Sequence, residues 1–230
     1  MKRIASLLVL IAIVFSLASC GPKVMTYAQY DAAEMDAEVI VDVYVQAHQS
    51  WWDNKITVYA ADQDGAYFIY EMACSEEDAA KLNPGTKIRV TGVKGAYAGE
   101  IEIMNATFEF LDADDTYVAA AKDVTSLIGS ADIEKDMNKL VAFKNMTVVA
   151  YNEEGAAFEY QGGIAGKDIY VKLSNGTETV ECCVESYLTD SSSELYKAVE
   201  ALQVGDTVDV EGFLYWYNGA NPHLTKVTVK

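Results

Sequence analysis

Apolar and polar residues alternate in short blocks along this chain. From Glu38 to Ala47, Val39, Val41, Val43 and Val45 share one face, the two-residue period of a half-buried strand. After a loop over 48–54, Lys55 to Ala61 and Ala66 to Cys74 form further β-rich runs. They are joined by Asp62-Gln63-Asp64-Gly65, a hairpin turn signal. Ser75 followed by Glu76, Glu77 and Asp78 predicts a short capped helix, ended by Pro84-Gly85. Thr86 to Val93 and Glu100 to Leu111 predict two more strands. Later, Leu140 to Tyr151 predicts a strand bulged near Lys144-Asn145. Asp168 to Leu173 and Thr179 to Tyr187 predict a hairpin about Asn175-Gly176. A helix is expected over 194–202, after Asp190 to Ser193, and strands over 207–215 and 224–230.

The order therefore occurs twice, and the residues repeat with it. Leu82, Gly85, Ile88, Val90 and Gly92 align without gaps on Leu202, Gly205, Val208, Val210 and Gly212, 120 positions on. The same offset relates Tyr97 to Tyr217, Gly99 to Gly219 and Met104 to Leu224. Two copies of one domain follow. Three strands, a short helix and two strands is the order of an OB-fold. The expected fold is thus mainly β: two tandem OB-fold-like five-stranded barrels, each with a short helix between strands 3 and 4. They occupy 38–111 and 137–230, separated by a linker over 112–136 that is acidic at Asp112, Asp114 and Asp115.

The N-terminus has a different pattern. Lys2 and Arg3 precede an apolar run from Ile4 to Phe15, then Leu17-Ala18-Ser19-Cys20. This reads as a secretory signal over 1–19, with Cys20 the lipidated residue of a bacterial lipoprotein. Two acyl chains there give stable anchoring, and 20–37 becomes a lead between lipid and barrel. The expected location is the extracytoplasmic face of the cell membrane. The chain resembles the tandem OB-fold lipoproteins of gut-type Firmicutes in Gln49-Ser50-Trp51-Trp52-Asp53-Asn54-Lys55, Glu71 to Asp78, and Gly212-Phe213-Leu214-Tyr215-Trp216-Tyr217-Asn218. That resemblance covers nearly all of the mature chain. It implies fold and location and brings no catalytic residues with it.

Charge narrows the partners. The net charge is −18, which repels polyanions at long range. The first copy, taken as 24–118, has five basic residues against eighteen acidic ones, and the second, taken as 138–230, has seven against thirteen. An OB-fold nucleic-acid binder is therefore the second reading, because such binding needs phosphates neutralised by Lys and Arg.

OB-folds usually bind across strands two and three, framed by the loops between strands one and two and between four and five. The aromatic residues in or near those places are Trp51, Trp52, Tyr67 and Tyr97 in the first copy and Tyr215, Trp216 and Tyr217 in the second. They are the expected ligand contacts of a non-enzymatic module that takes a glycan, peptide or protein. Packing of the tryptophans between the barrels is the competing expectation. No cofactor, metal or catalytic residue is expected, and the protein is expected to be a monomer. The histidines His48 and His223 read as solvated loop residues, and Asp62-Gln63-Asp64-Gly65 as a turn in place of a calcium loop. Cys74, Cys182 and Cys183 are an odd set without metal-ligand spacing and read as core residues.

Overall fold

The computed structural model describes residues 23–230. The expected signal over 1–19 and lipidation at Cys20 lie outside them. The first domain opens with helix α1 (Tyr27–Asp31), followed by strands β1 (Glu38–His48), β2 (Lys55–Ala61) and β3 (Ala66–Ala73), helix α2 (Glu76–Ala79), and strands β4 (Lys87–Tyr97) and β5 (Glu100–Phe110). The strands close in the order β1-β2-β3-β5-β4. Every neighbouring pair is antiparallel except β3 and β5. Val39, Val41, Val43 and Val45 fill the interior with Val58, Ile69, Ile88, Val90 and Ile103. This is the face that alternation selected.

A two-residue strand, β6 (Lys122–Asp123), leads into the second domain. Its strands are β7 (Leu140–Val149), β8 (Phe158–Tyr160), β9 (Ile169–Ser174) and β10 (Thr179–Val184), then helix α3 (Glu194–Glu200), then β11 (Thr207–Phe213) and β12 (His223–Val229). β7, β11, β12, β10 and β9 run side by side, and a β7–β9 pairing closes them into a second five-stranded barrel. Helices α2 and α3 lie between the third and fourth strands of their barrels. Ser75 and Ser193 cap them by accepting the Asp78 and Tyr196 amides. The expected fold class is the observed one.

Two connecting segments carry structure that alternation did not predict. Met25 bridges to Val41, and Tyr30 is buried in the first core. The Lys94 ammonium donates to the carbonyls of Tyr30, Asp31 and Ala33, binding a cation to the C-terminal end of α1. Residues 112–136 are also folded onto the barrels. Val124, Ile128 and Ile133 enter the second core. Asp115, read from its charge run as solvated linker, accepts from Lys87 at 3.3 Å and from the Tyr44 hydroxyl. The bulge near Lys144-Asn145 is present: β7 shifts register against β11 there, with Asn145 at φ 52°.

The barrels meet along a packed seam. Tyr59 and Phe68 project outward from β2 and β3 and are buried against Phe213 of β11. Tyr59 stacks on Phe213 with ring centroids 4.3 Å apart, and its hydroxyl lies 2.7 Å from His223 Nδ1. The backbones join as well. The Asn218 amide donates to the Ala98 carbonyl at 2.7 Å, and the Ser50 amide to that of Tyr187 at 2.7 Å.

Candidate functional site

The seam decides which part of the usual OB surface is available. Tyr59 and Phe68 occupy the middle of the outer β2–β3 face, and the second barrel covers them. The face stays open at the end nearest the loop between β1 and β2. A cleft of about 390 Å³ lies there, lined by Gln49, Ser50, Trp52, Thr57, Tyr70 and Tyr187 among others. Three of these rings are exposed: Trp52 by 59%, Tyr70 by 44% and Tyr187 by 58%. A monomer ordinarily limits such apolar exposure.

Each ring has its own means of positioning. Trp52 and Lys55 exchange backbone hydrogen bonds of 3.0 and 2.8 Å across Asp53-Asn54. Both turn residues have positive φ, 46° and 61°, the geometry of a tight hairpin turn. Trp52 is therefore held on a short, ordered tip. Tyr70 precedes Glu71, which has φ 44° and whose amide donates to Thr57 Oγ1 at 3.1 Å. Tyr187 belongs to the second barrel, just past β10. Its amide donates to Glu185 Oε1 at 3.1 Å, and its carbonyl accepts the Ser50 amide. Gln49 Nε2 donates to Glu185 Oε2 at 3.1 Å, fixing the cleft wall across the seam. Burial pushes the Glu185 carboxyl up to about 7. Lys55 lines the cleft too, and its ammonium pairs with Glu71 at 2.7 Å.

The seven aromatic residues expected as ligand contacts fall into separate places. Trp52 walls the cleft. Trp51 is half-buried against the first core, and its indole donates to the Cys74 carbonyl at 2.9 Å. Tyr67 is wholly buried in that core, its hydroxyl on Asp62, because its place on β3 points inward. Tyr215 packs into the seam against Phe68. Trp216 packs against the second core while its amide donates to Glu100 Oε2 at 2.7 Å. Tyr97 and Tyr217 are exposed together, with centroids 6.2 Å apart. Tyr187 was missed because its only signal is a lone tyrosine before a loop. Nothing local says that the loop reaches the other barrel.

The other marked residues also find places. His223, read as solvated, is buried at the start of β12 and stacked on Tyr215. Burial pushes its pKa down to about 4, so it is neutral at pH 7. Asp62 Oδ1 accepts the Asp64 and Gly65 amides, which accounts for the turn. Cys74, Cys182 and Cys183 are free and buried, as read from their spacing. No group of three or more His, Cys, Asp or Glu side chains is arranged to hold a metal among the described residues.

No protein-family model matches the chain, and no curated protein matches it. Among solved structures, it is similar to a murine DNA binding protein bound with dsDNA, at 10% identity and TM-score 0.38, over 83% of this chain and 90% of that one. The Ifi202 HINa domain in complex with 20bp dsDNA is similar at 14% identity and TM-score 0.37, over 84% and 98%. The asparaginyl-tRNA synthetase of Pyrococcus horikoshii, complexed with asparaginyl-adenylate, is similar at 19% identity and TM-score 0.32; the match spans 41% of this chain and only 20% of the synthetase. Likeness at this distance transfers no function to this chain.

Proposed function

We propose that this protein is a non-enzymatic binding module that seats a neutral glycan in the cleft of Trp52, Tyr70 and Tyr187. The observation that carries the reading is the convergence of these three exposed rings, from three chain segments and both barrels, on one cleft. The C–H face of a sugar ring is apolar and stacks on an aromatic face. Its hydroxyls need the few placed polar groups that such pockets supply; Gln49 and Ser50 line the cleft, the Gln49 amide held by Glu185 and the Ser50 hydroxyl by the Tyr187 carbonyl.

Charge argues for a neutral ligand. Lys55 is held by Glu71, and the whole chain is strongly acidic. Nucleic acid is the second reading. It rests on the sequence-derived use of OB-fold aromatics as base-stacking platforms, against the cost of unneutralised phosphates. Read with the N-terminal pattern at 1–20, the module is a lipid-anchored lipoprotein on the extracytoplasmic face, where glycans are at hand.

Tryptophan fluorescence titrated with neutral oligosaccharides and with single-stranded DNA, at low and high salt, tests the reading. Glycan binding is expected to be nearly independent of salt and to weaken about tenfold in Trp52→Ala, the loss of one stacked ring. Binding of DNA alone, falling steeply with salt, would instead establish the second reading.

A further inference from the structure

The repeat places a second aromatic feature on the seam. Tyr97 and Tyr217 hold equivalent positions in the two copies, each at the turn between its barrel's last two strands. The loops pair with each other: Gly99 bridges to Tyr217, and the Asn218 amide donates to the Ala98 carbonyl. Ala98 and Asn218 both take positive φ, 51° and 55°. No Cβ fits at Gly99, where it would stand 2.7 Å from Trp216 Cδ1. The two tyrosines are thus brought side by side by backbone contacts, yet their rings stay exposed by 58% and 54%. No core requires that exposure.

Tyr215 connects this pair to the Trp52 cleft. Its ring lies 5.2 Å from Phe68, which lies 6.5 Å from Tyr70 of the cleft wall. Burial above all, and then Glu100, Glu102, Tyr97 and Tyr70, push the Tyr215 phenol up. Tyr215 also stands two residues before Tyr217, so one short chain segment carries a ring of each place. Glu102 faces Phe68 across β3 and β5. It is buried there, and burial raises its carboxyl.

We propose that Trp52, Tyr187, Tyr70, Tyr215, Tyr97 and Tyr217 form one track along the seam, and that the ligand is a linear oligosaccharide long enough to touch both barrels. This rests on the glycan reading of the cleft. Spaced rings on one rigid surface act as linked subsites, so each further sugar adds contact without a second association cost.

The test is calorimetry of the full chain with β-1,4-linked glucose and N-acetylglucosamine oligomers, from disaccharide to hexasaccharide. The hexasaccharide is expected to bind at least tenfold more tightly than the disaccharide. Tyr97→Ser/Tyr217→Ser is expected to erase that gain and leave disaccharide affinity unchanged. The single variants guard against misfolding, since both rings are exposed and the melting temperature should hold. Trp52→Ala is expected to weaken both ligands. Equal affinity for short and long oligomers, or a hexasaccharide indifferent to the tyrosine pair, overturns the track and leaves the cleft. Absence of binding by every oligomer overturns both.

Discussion

Glu100 is fully buried where the barrels meet. Its Oε2 accepts the Trp216 amide, while Oε1 and the neighbouring Asn138 Oδ1 have no donor. Asn138 Nδ2 is committed to the Ile101 carbonyl at 3.0 Å, so Oδ1 can only accept. Protonation of Glu100 supplies the donor that these acceptors lack. Burial pushes this carboxyl from 4.5 to about 8, with Glu102 on the same strand adding repulsion against the opposing bond from the Trp216 amide. Tyr30 of α1, Tyr59 of β2 and Tyr215 also lie near enough to be affected by its charge. Between pH 4.5 and 8 the folded state retains a proton that the unfolded chain releases. Its contribution is full below 4.5 and is lost as pH rises through 8. Glu185 acts in the same sense up to about 7. His223 acts oppositely: its contribution is present above pH 6.5 and lost as pH falls through about 4. Glu100→Gln can donate to Asn138 and accept from Trp216 without titrating. It is expected to flatten the fall in stability between pH 5 and 8 by up to about 1.4 kcal/mol per pH unit. Urea midpoints across that range measure it, and a wild-type slope in the variant would remove Glu100 as the cause.

At the scale of elements, the repeat's shared glycines have a steric reason. A Cβ at Gly92 would lie 2.8 Å from the Met104 carbonyl oxygen, and one at Gly212 would lie 2.4 Å from that of His223. Each sits at a register shift between the last two strands of its barrel. Backbone cannot swing aside as a side chain can. Gly92→Ala and Gly212→Ala are each expected to cost about 1–3 kcal/mol, read from urea unfolding. A loss under about 0.5 kcal/mol would show that the strands part easily. The strands themselves were legible, since alternation and the repeat mark their inward faces. The segments over 20–37 and 112–136 were not. Tyr30, Val124, Ile128 and Ile133 are core residues, but too widely spaced to set a period.

At the scale of the molecule, the seam makes the two barrels one body. Tyr59, Phe68 and Phe213 form its apolar centre, with Tyr215 and Leu188 beside them. Phe213→Ala removes the stack on Tyr59 and is expected to cost about 3 kcal/mol. Calorimetric melting is expected to change from one transition to two as the barrels uncouple. A single transition of unchanged shape would mean that the backbone joints suffice. The same seam covers much of the usual OB face of the first barrel and completes the Trp52 cleft with Tyr187 of the second.

Local pattern by itself determined the two barrels. A period of two, capping serines, turn residues and a 120-residue repeat act over neighbouring positions, and each is written in the order of the residues. Trp52 in the loop after the first strand and the equivalent positions of Tyr97 and Tyr217 in the repeat were legible for the same reason. Tertiary structure alone decided which aromatics are free. Trp52 and Trp51 adjoin in sequence, yet one walls a cleft and the other packs on a core. Tyr67 and Tyr70 share a strand, yet one points inward and the other out. Exposure depends on what lies opposite, and here that is a second barrel more than a hundred residues away in the chain.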